Sequence, residues 1–143
     1  MAAAQVIIRK LGIGDECFVA DAIRYWGREA DADAPSAFLA DPAVIAIGAF
    51  TADTLIGFGY GYVQTRPDDR PMAQLYSLDV WPGFRRRGIA SRIVQAFRHA
   101  AGEVSKVWLI TATDNQAANA LYEAQGGEKQ QIAENVYYWH RTT

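Results

Sequence analysis

The chain has 143 residues, half of them apolar and 21% charged, with a formal net charge of −2. That length supports one domain, residues 1–143, with a core that needs neither disulfide nor metal. The charge excludes the basic surface of a general nucleic-acid binder, the single Cys17 excludes an internal disulfide, and no Cys/His cluster indicates a metal site.

Residues 6–9 read as a first strand. Residues 15–26 follow as a helix, because Phe18, Val19, Ala22, Ile23 and Trp26 recur on one face; Cys17 beside Phe18 is expected to be buried. Pro35 opens a short helix ending at Leu39, since proline is tolerated in a first helical turn. Residues 44–50 form an apolar strand, 51–54 a turn, and 55–63 a strand in which Gly57, Gly59 and Gly61 alternate with Phe58, Tyr60 and Tyr62. Period two puts glycines on one face and aromatics on the other. A glycine stripe of this kind lets a packed helix approach closely.

After an exposed loop at 65–71 comes a strand at 73–80, ended by Pro82-Gly83. A helix is expected over 89–101, a strand over 106–112 and a helix over 115–125 with Gly126-Gly127 as its stop. Strands near 128–133 and 136–141 close a β-α-α-β-β-β-α-β-α-β-β order. No apolar run approaches the length of a membrane span, and residues 1–10 lack a secretion-signal layout. A cytoplasmic protein with no membrane partner is expected.

Charge is unevenly placed. Residues 15–41 carry Asp15, Glu16, Asp21, Glu29, Asp31, Asp33 and Asp41 against Arg24 and Arg28; residues 85–106 carry Arg85, Arg86, Arg87, Arg92, Arg98 and Lys106 against Glu103. Such a layout suits an anionic ligand in one place and a cationic one in another. Within the basic segment a strand leads to a loop, and a helix starts straight after Gly88. Unpaired N–H groups and the helix dipole make that start an anion cradle fit for a pyrophosphate. Gly88 permits close approach, Ala90 and Ser91 keep the floor low, and the arginines add charge. The pattern is neither a P-loop nor a dinucleotide-binding turn, both of which need other glycine and lysine spacings.

Arg85-x-x-Gly88-x-Ala90, preceded by Val80-x-Pro82, resembles the Gln/Arg-x-x-Gly-x-Gly/Ala signature of the GCN5-related N-acetyltransferases (GNAT). Asn115-x-x-Ala118-x-x-Leu121-Tyr122 resembles the helix that flanks the pantetheine arm in that family, and the likeness runs from Val6 to Arg141. One departure is Gly127, where the family usually has a large apolar residue. The resemblance implies an α/β (α+β) fold with a mixed, mostly antiparallel sheet splayed between its fourth and fifth strands and flanked by four helices. It also implies acetyl-CoA as cofactor, held by Arg85, Arg86, Arg87, Gly88, Ile89, Ala90 and Ser91. On the same carry-over Val80 binds pantetheine and the Leu78 N–H donates to the thioester carbonyl. Asn115 bonds the pantetheine arm, and Tyr122 protonates the departing thiolate.

Each role has a structural alternative. Tyr122 shares a helix face with Ala118 and Leu121 and could be core, while Asn115 could cap its helix. Asp79, between Leu78 and Val80, is a general base, an acceptor for a substrate ammonium or a salt-bridge partner. Tyr76 on the third long strand and Tyr138 on the last strand are expected to border the acceptor cleft, Tyr138 as a further catalytic candidate.

Within the superfamily the chain most resembles the type I aminoglycoside 3-N-acetyltransferases, through Gly27-Arg28-Glu29, residues 45–50 and the loop at 86–90. Those enzymes read Tyr-Asp-Leu-Ala-Val where this chain reads Tyr76-Ser77-Leu78-Asp79-Val80. The acid thus stands two positions further along, on the same face unless a bulge intervenes. The expected partner is a cationic small-molecule amine, an aminoglycoside first, with Glu29, Asp31, Asp33, Tyr76 and Asp79 as acceptor-side residues. The alternatives are a peptide, protein or polyamine N-acetyltransferase and a non-catalytic acyl-CoA-sensing module. The sequence is also compatible with a homodimer.

Overall fold

Five strands build one sheet in the order β1-β2-β3-β4-β5: β1 (Val6–Lys10), β2 (Val44–Thr51), β3 (Thr54–Gln64), β4 (Met72–Val80) and β5 (Val107–Trp108). The first four pair antiparallel, and β5 joins β4 parallel through two residue pairs, Ala73 with Val107 and Gln74 with Trp108. The computed structural model describes residues 5–140. The chain divides after Ile110 into two compact units. The first holds the sheet with α1 (Glu16–Tyr25), α2 (Ala34–Ala40) and α3 (Ile89–Ala101); the second holds α4 (Gln116–Ala124).

Strand β2 is buried on both faces because helices cover both. On one side Val44, Ala46 and Phe50 join Leu55 and Phe58 of β3 and Val19 and Ala22 of α1 in a core, edged by Phe38 and Leu39 of α2. On the other side α3 lays Ile89, Ile93, Val94 and Phe97 against the sheet. The glycine stripe of β3 faces α3, as its alternation implies. A Cβ at Gly59 would sit 2.8 Å from Ile93, and one at Gly61 would sit 2.8 Å from Phe97. A bidentate pair fixes the turn from β1 into α1: Arg9 donates to both oxygens of Asp15 at 2.9 and 3.0 Å, and the Gly12 N–H donates to the same carboxylate.

Three expectations are corrected. Cys17 is exposed, because the buried stripe of α1 runs through Val19 and Ala22 and Cys17 falls on the opposite face. The fifth strand is two residues long, not the expected 106–112. Its partner β4 carries an extra residue just beyond Gln74, and a bulge bends the strand and breaks the ladder. Residues 128–140 form no strand, so the expected closing pair at 128–133 and 136–141 is absent among the described residues; Arg141 lies outside them. Glu128, Lys129, Gln130 and Gln131 have little strand preference, and the β-prone Val136, Tyr137 and Trp139 are exposed with no ladder partner. No helix among the described residues is long and apolar enough to cross a membrane.

Gly61 offers a sharp test of the sheet–helix contact. A Cβ there would stand 1.8 Å from the Gln74 carbonyl oxygen, a backbone atom that cannot rotate away, whereas one at Gly12 would meet nothing within 4 Å. Gly61→Ala is expected to lower unfolding stability by about 3 kcal/mol or more, and Gly12→Ala to change it by less than about 1 kcal/mol, measured by denaturant titration.

Candidate active site

Strand β4 has two halves with opposite hydrogen-bonding sense. Leu75 pairs with Gly61 and Ser77 with Tyr60, so Tyr76 is an extra, bulged residue. Before the bulge, the Ala73 N–H points to the β5 side and donates to Lys106 O at 3.0 Å. After it, the Trp81 N–H points to β3 and donates to Ile56 O at 2.9 Å. Alternation then gives Asp79 to β3 as well and turns the N–H groups of Leu78 and Val80 to the other edge. No strand covers that edge beyond Gln74 among the described residues. The result is a short row of main-chain donors facing a gap, a place where an extended amide-bearing ligand can add as a strand.

The basic loop begins where β4 ends. A 3-10 turn at Pro82–Phe84 is followed by Arg86 at φ 64 and Gly88 at φ 74, both left-handed, and α3 starts at Ile89. Gly88 occupies the cap position, and no side chain caps the helix. The first N–H groups, through Ser91, therefore lack intrahelical partners. Nothing lies within 4 Å of where a Gly88 Cβ would stand. Arg86 and Arg87 are exposed, Arg87 lying 5.7 Å from the Phe84 ring centre. The open space, unpaired donors and positive charge fit a diphosphate. Ile89 is in the core, so only its backbone can take part. Arg85 differs from its neighbours: its Nε donates to Val80 O at 2.7 Å and its Nη2 to Asp79 Oδ1 at 3.2 Å.

Asp79 is thus ion-paired, and its other oxygen accepts from Trp26 Nε1 at 3.2 Å. The bulge lies outside residues 77–80, whose register is regular, so Ser77 and Asp79 do share a face. They share it with Phe58, Tyr60 and Tyr62 of β3. Tyr76 joins them, its ring centre 5.7 Å from Tyr60 and 6.3 Å from Tyr62. Tyr76 is 63% exposed. Burial, with smaller effects from the neighbouring tyrosines, pushes the Tyr60 and Tyr62 phenols above the usual tyrosine range. Glu29, Asp31 and Asp33 are exposed in the connection between α1 and α2. The sequence reading missed Trp26, Tyr60 and Tyr62 as members of this face. Their signal was present in the glycine/aromatic alternation and in the apolar end of α1.

In the second unit, Asn115 caps α4, its Oδ1 accepting from the Ala118 N–H at 3.1 Å, which leaves the amide NH₂ for another acceptor. Tyr122 is half-buried, and burial raises its phenol above the usual value. Gly126, at φ 84, donates to Glu123 O and Gly127 donates to Tyr122 O, so the two glycines end the helix in a Schellman turn. A Cβ on Gly127 would lie 3.0 Å from Tyr122 O, tighter than an ordinary contact. Tyr138 is exposed in the segment that forms no strand.

A mixed sheet splayed beside a bulged strand, with an anion cradle at the next helix start, defines an acyl-CoA-binding class of fold. The chain belongs to the Acetyltransferase (GNAT) family, whose model matches residues 14–127. Acetyl-CoA is the cofactor of that family, as the sequence motifs imply. Over 83 residues the chain is 32% identical to the uncharacterized protein ML0378 of Mycobacterium leprae (strain TN), a match covering 58% of this chain and 23% of that protein. Among solved structures it resembles the aminoglycoside acetyltransferase meta-AAC0020 from an uncultured soil metagenomic sample, in complex with sisomicin: TM-score 0.84, 16% identity, 95% of this chain and 97% of that one. It also resembles AAC(6')-Iy in complex with CoA, with TM-score 0.79, 18% identity and coverage of 99% and 98%. A third likeness is to the ribosomal-protein-alanine N-acetyltransferase of Brucella melitensis biovar Abortus 2308, with TM-score 0.75, 22% identity and coverage of 93% and 99%. At these identities the likenesses show the fold. The name of the second enzyme specifies the 6′ position, whereas the sequence motifs resemble the 3-N class.

Gly88 and Gly102, at the two ends of α3, both have positive φ, 74 and 67. Gly88→Val and Gly102→Val should both lose stability through backbone strain. Only Gly88→Val should weaken CoA binding, by about tenfold or more in isothermal titration.

Proposed function

We propose that the chain transfers the acetyl group of acetyl-CoA to an amine of a polycationic small molecule, an aminoglycoside in the first instance. The observation that carries this reading is the face formed by the exposed Tyr76 and the partly buried Tyr60 and Tyr62, with Asp79 on the same side of the sheet. It lies on β3 and β4, beside the strand edge that offers the Leu78 and Val80 donors. Aromatic faces attract ammonium groups and stack on sugar rings, and the exposed acids Glu29, Asp31 and Asp33 add long-range attraction for a polycation. The complexes of similar folds with aminoglycosides support the same substrate class.

The bound cofactor supplies an activated thioester. On this reading the N–H groups of Ile89, Ala90 and Ser91, with Arg86 and Arg87, hold its diphosphate. The Val80 N–H orients its pantetheine arm, and the family resemblance implies a bond from the Asn115 amide to that arm. The Leu78 N–H donates to the carbonyl oxygen as charge develops there. By the family resemblance, Tyr122 would hold the proton that the leaving sulfur takes up. A phenol raised above the usual range stays protonated at neutral pH, the state an acid requires. The amine needs its lone pair, so it must lose a proton on the solvated, acidic side of the site.

Thiol release from acetyl-CoA against a panel of amines tests the reading. Aminoglycosides should release CoA thiol well above background, with an apparent KM that rises with salt. Release with a basic peptide or a polyamine alone would replace this substrate class. Tyr122→Phe should lower kcat about 10²-fold with unchanged CoA affinity. The wild-type alkaline limb should lie above pH 10.0, the ordinary phenol value, because burial raises the folded pKa.

A further inference from the structure

The start of the cofactor loop is tied down at three points within seven residues. Trp81 stacks on Tyr25 with ring centres 3.8 Å apart and planes 14° from parallel. Asp79 accepts from Trp26 Nε1 at 3.2 Å, and Arg85 folds back to span Asp79 Oδ1 and Val80 O. Tyr25 ends α1 and Trp26 is its cap, so the last turn of one helix grips the chain that leads to another. The residue after Arg85 is Arg86 in a left-handed conformation at φ 64, which a non-glycine residue holds only when its neighbours are fixed. Arg85 is that neighbour. Its guanidinium is the only side-chain group bonded to both the end of β4 and the carboxylate on it, among the described residues.

We propose that Asp79 is a positioning residue that fixes the cofactor loop through Arg85, with the Trp26 indole N–H holding the carboxylate from the other side. Asp79 holds the fork of Arg85 by charge and geometry together, since only a guanidinium can present Nε to a carbonyl and Nη2 to a carboxylate at once. With Arg85 held, the chain leaves Phe84 in one direction, and Arg86 and Gly88 set the α3 start toward the diphosphate. Loss of the carboxylate frees Arg85, relaxes Arg86 and disperses the N–H cradle. Cofactor affinity falls although the bonds of the Asp79 carboxylate run to Arg85 and Trp26. The same carboxylate lies on the aromatic face, so the pin links the two sides of the site. The inference rests on the proposed placement of the diphosphate at the loop.

The test is a double-mutant cycle read in CoA affinity. Asp79→Asn, isosteric and uncharged, and Arg85→Gln should each weaken CoA several-fold in isothermal titration. The double variant should be no weaker than Arg85→Gln alone, because both changes break one device. Trp26→Phe, which removes the indole N–H and keeps an aromatic ring, should shift affinity in the same direction by less. In steady state Asp79→Asn should raise the KM for acetyl-CoA while the acidic limb of the kcat pH profile stays in place. Additive losses in the cycle would overturn the inference. So would unchanged CoA affinity together with a collapsed kcat and a lost acidic limb, which would make Asp79 the base. Gly88→Val separates the two levels of argument. If it binds CoA normally, the loop placement itself fails; if it loses CoA while Asp79→Asn does not, only the positioning role fails.

Discussion

One extra residue in β4 decides what the sheet can bind. Without the bulge at Tyr76, the N–H groups turned toward the β5 side would be those of odd-numbered residues along the whole strand, in phase with Ala73. The bulge shifts the phase, so that Leu78 and Val80 face the edge that β5 leaves open. It also bends β4, which limits the pairing with β5 to Ala73 and Gln74. A gap and the donors lining it therefore have one cause. Tyr76 itself is pushed out onto the aromatic face, where it is exposed beside Tyr60 and Tyr62.

The glycine stripe of β3 is the complement of this arrangement. Gly57, Gly59 and Gly61 let α3 sit close to the sheet, with Ile93 and Phe97 filling the room that side chains would take. Close seating brings the start of α3 near the end of β4, joined by only the 3-10 turn and the arginine run. The β3 residues between those glycines carry the aromatics on the opposite face. One alternating sequence thus serves a helix contact on one side and the proposed acceptor surface on the other.

Much of this was legible in the residues. The alternation of glycine with aromatics, the Pro82-Gly83 break, the basic loop and the Gly126-Gly127 stop each have a local cause, and each appears where the pattern puts it. The bulge had no comparable signal. Tyr76 follows Leu75 as in a regular strand, and only the pairing with Gly61 and Tyr60 reveals the extra residue. The ion pair of Arg85 with Asp79 was open among three roles for the acid, because it depends on how the 3-10 turn folds the chain back. Cys17 was misjudged because its neighbour Phe18 is apolar, although the α1 stripe runs past it on the far side. At the other end, Val136, Tyr137 and Trp139 have strand-forming side chains, but preference without a ladder partner makes no strand.

The central claim is that the phase-shifted half of β4 receives the cofactor as an added strand. Amide hydrogen exchange by NMR, residue by residue with and without CoA, tests it most directly. The N–H groups of Asp79 and Trp81 already face β3, so their exchange should change little on binding. Those of Leu78 and Val80 should slow markedly as they gain partners. Equal slowing at all four amides, or none at Leu78 and Val80 under saturating CoA, would contradict the account.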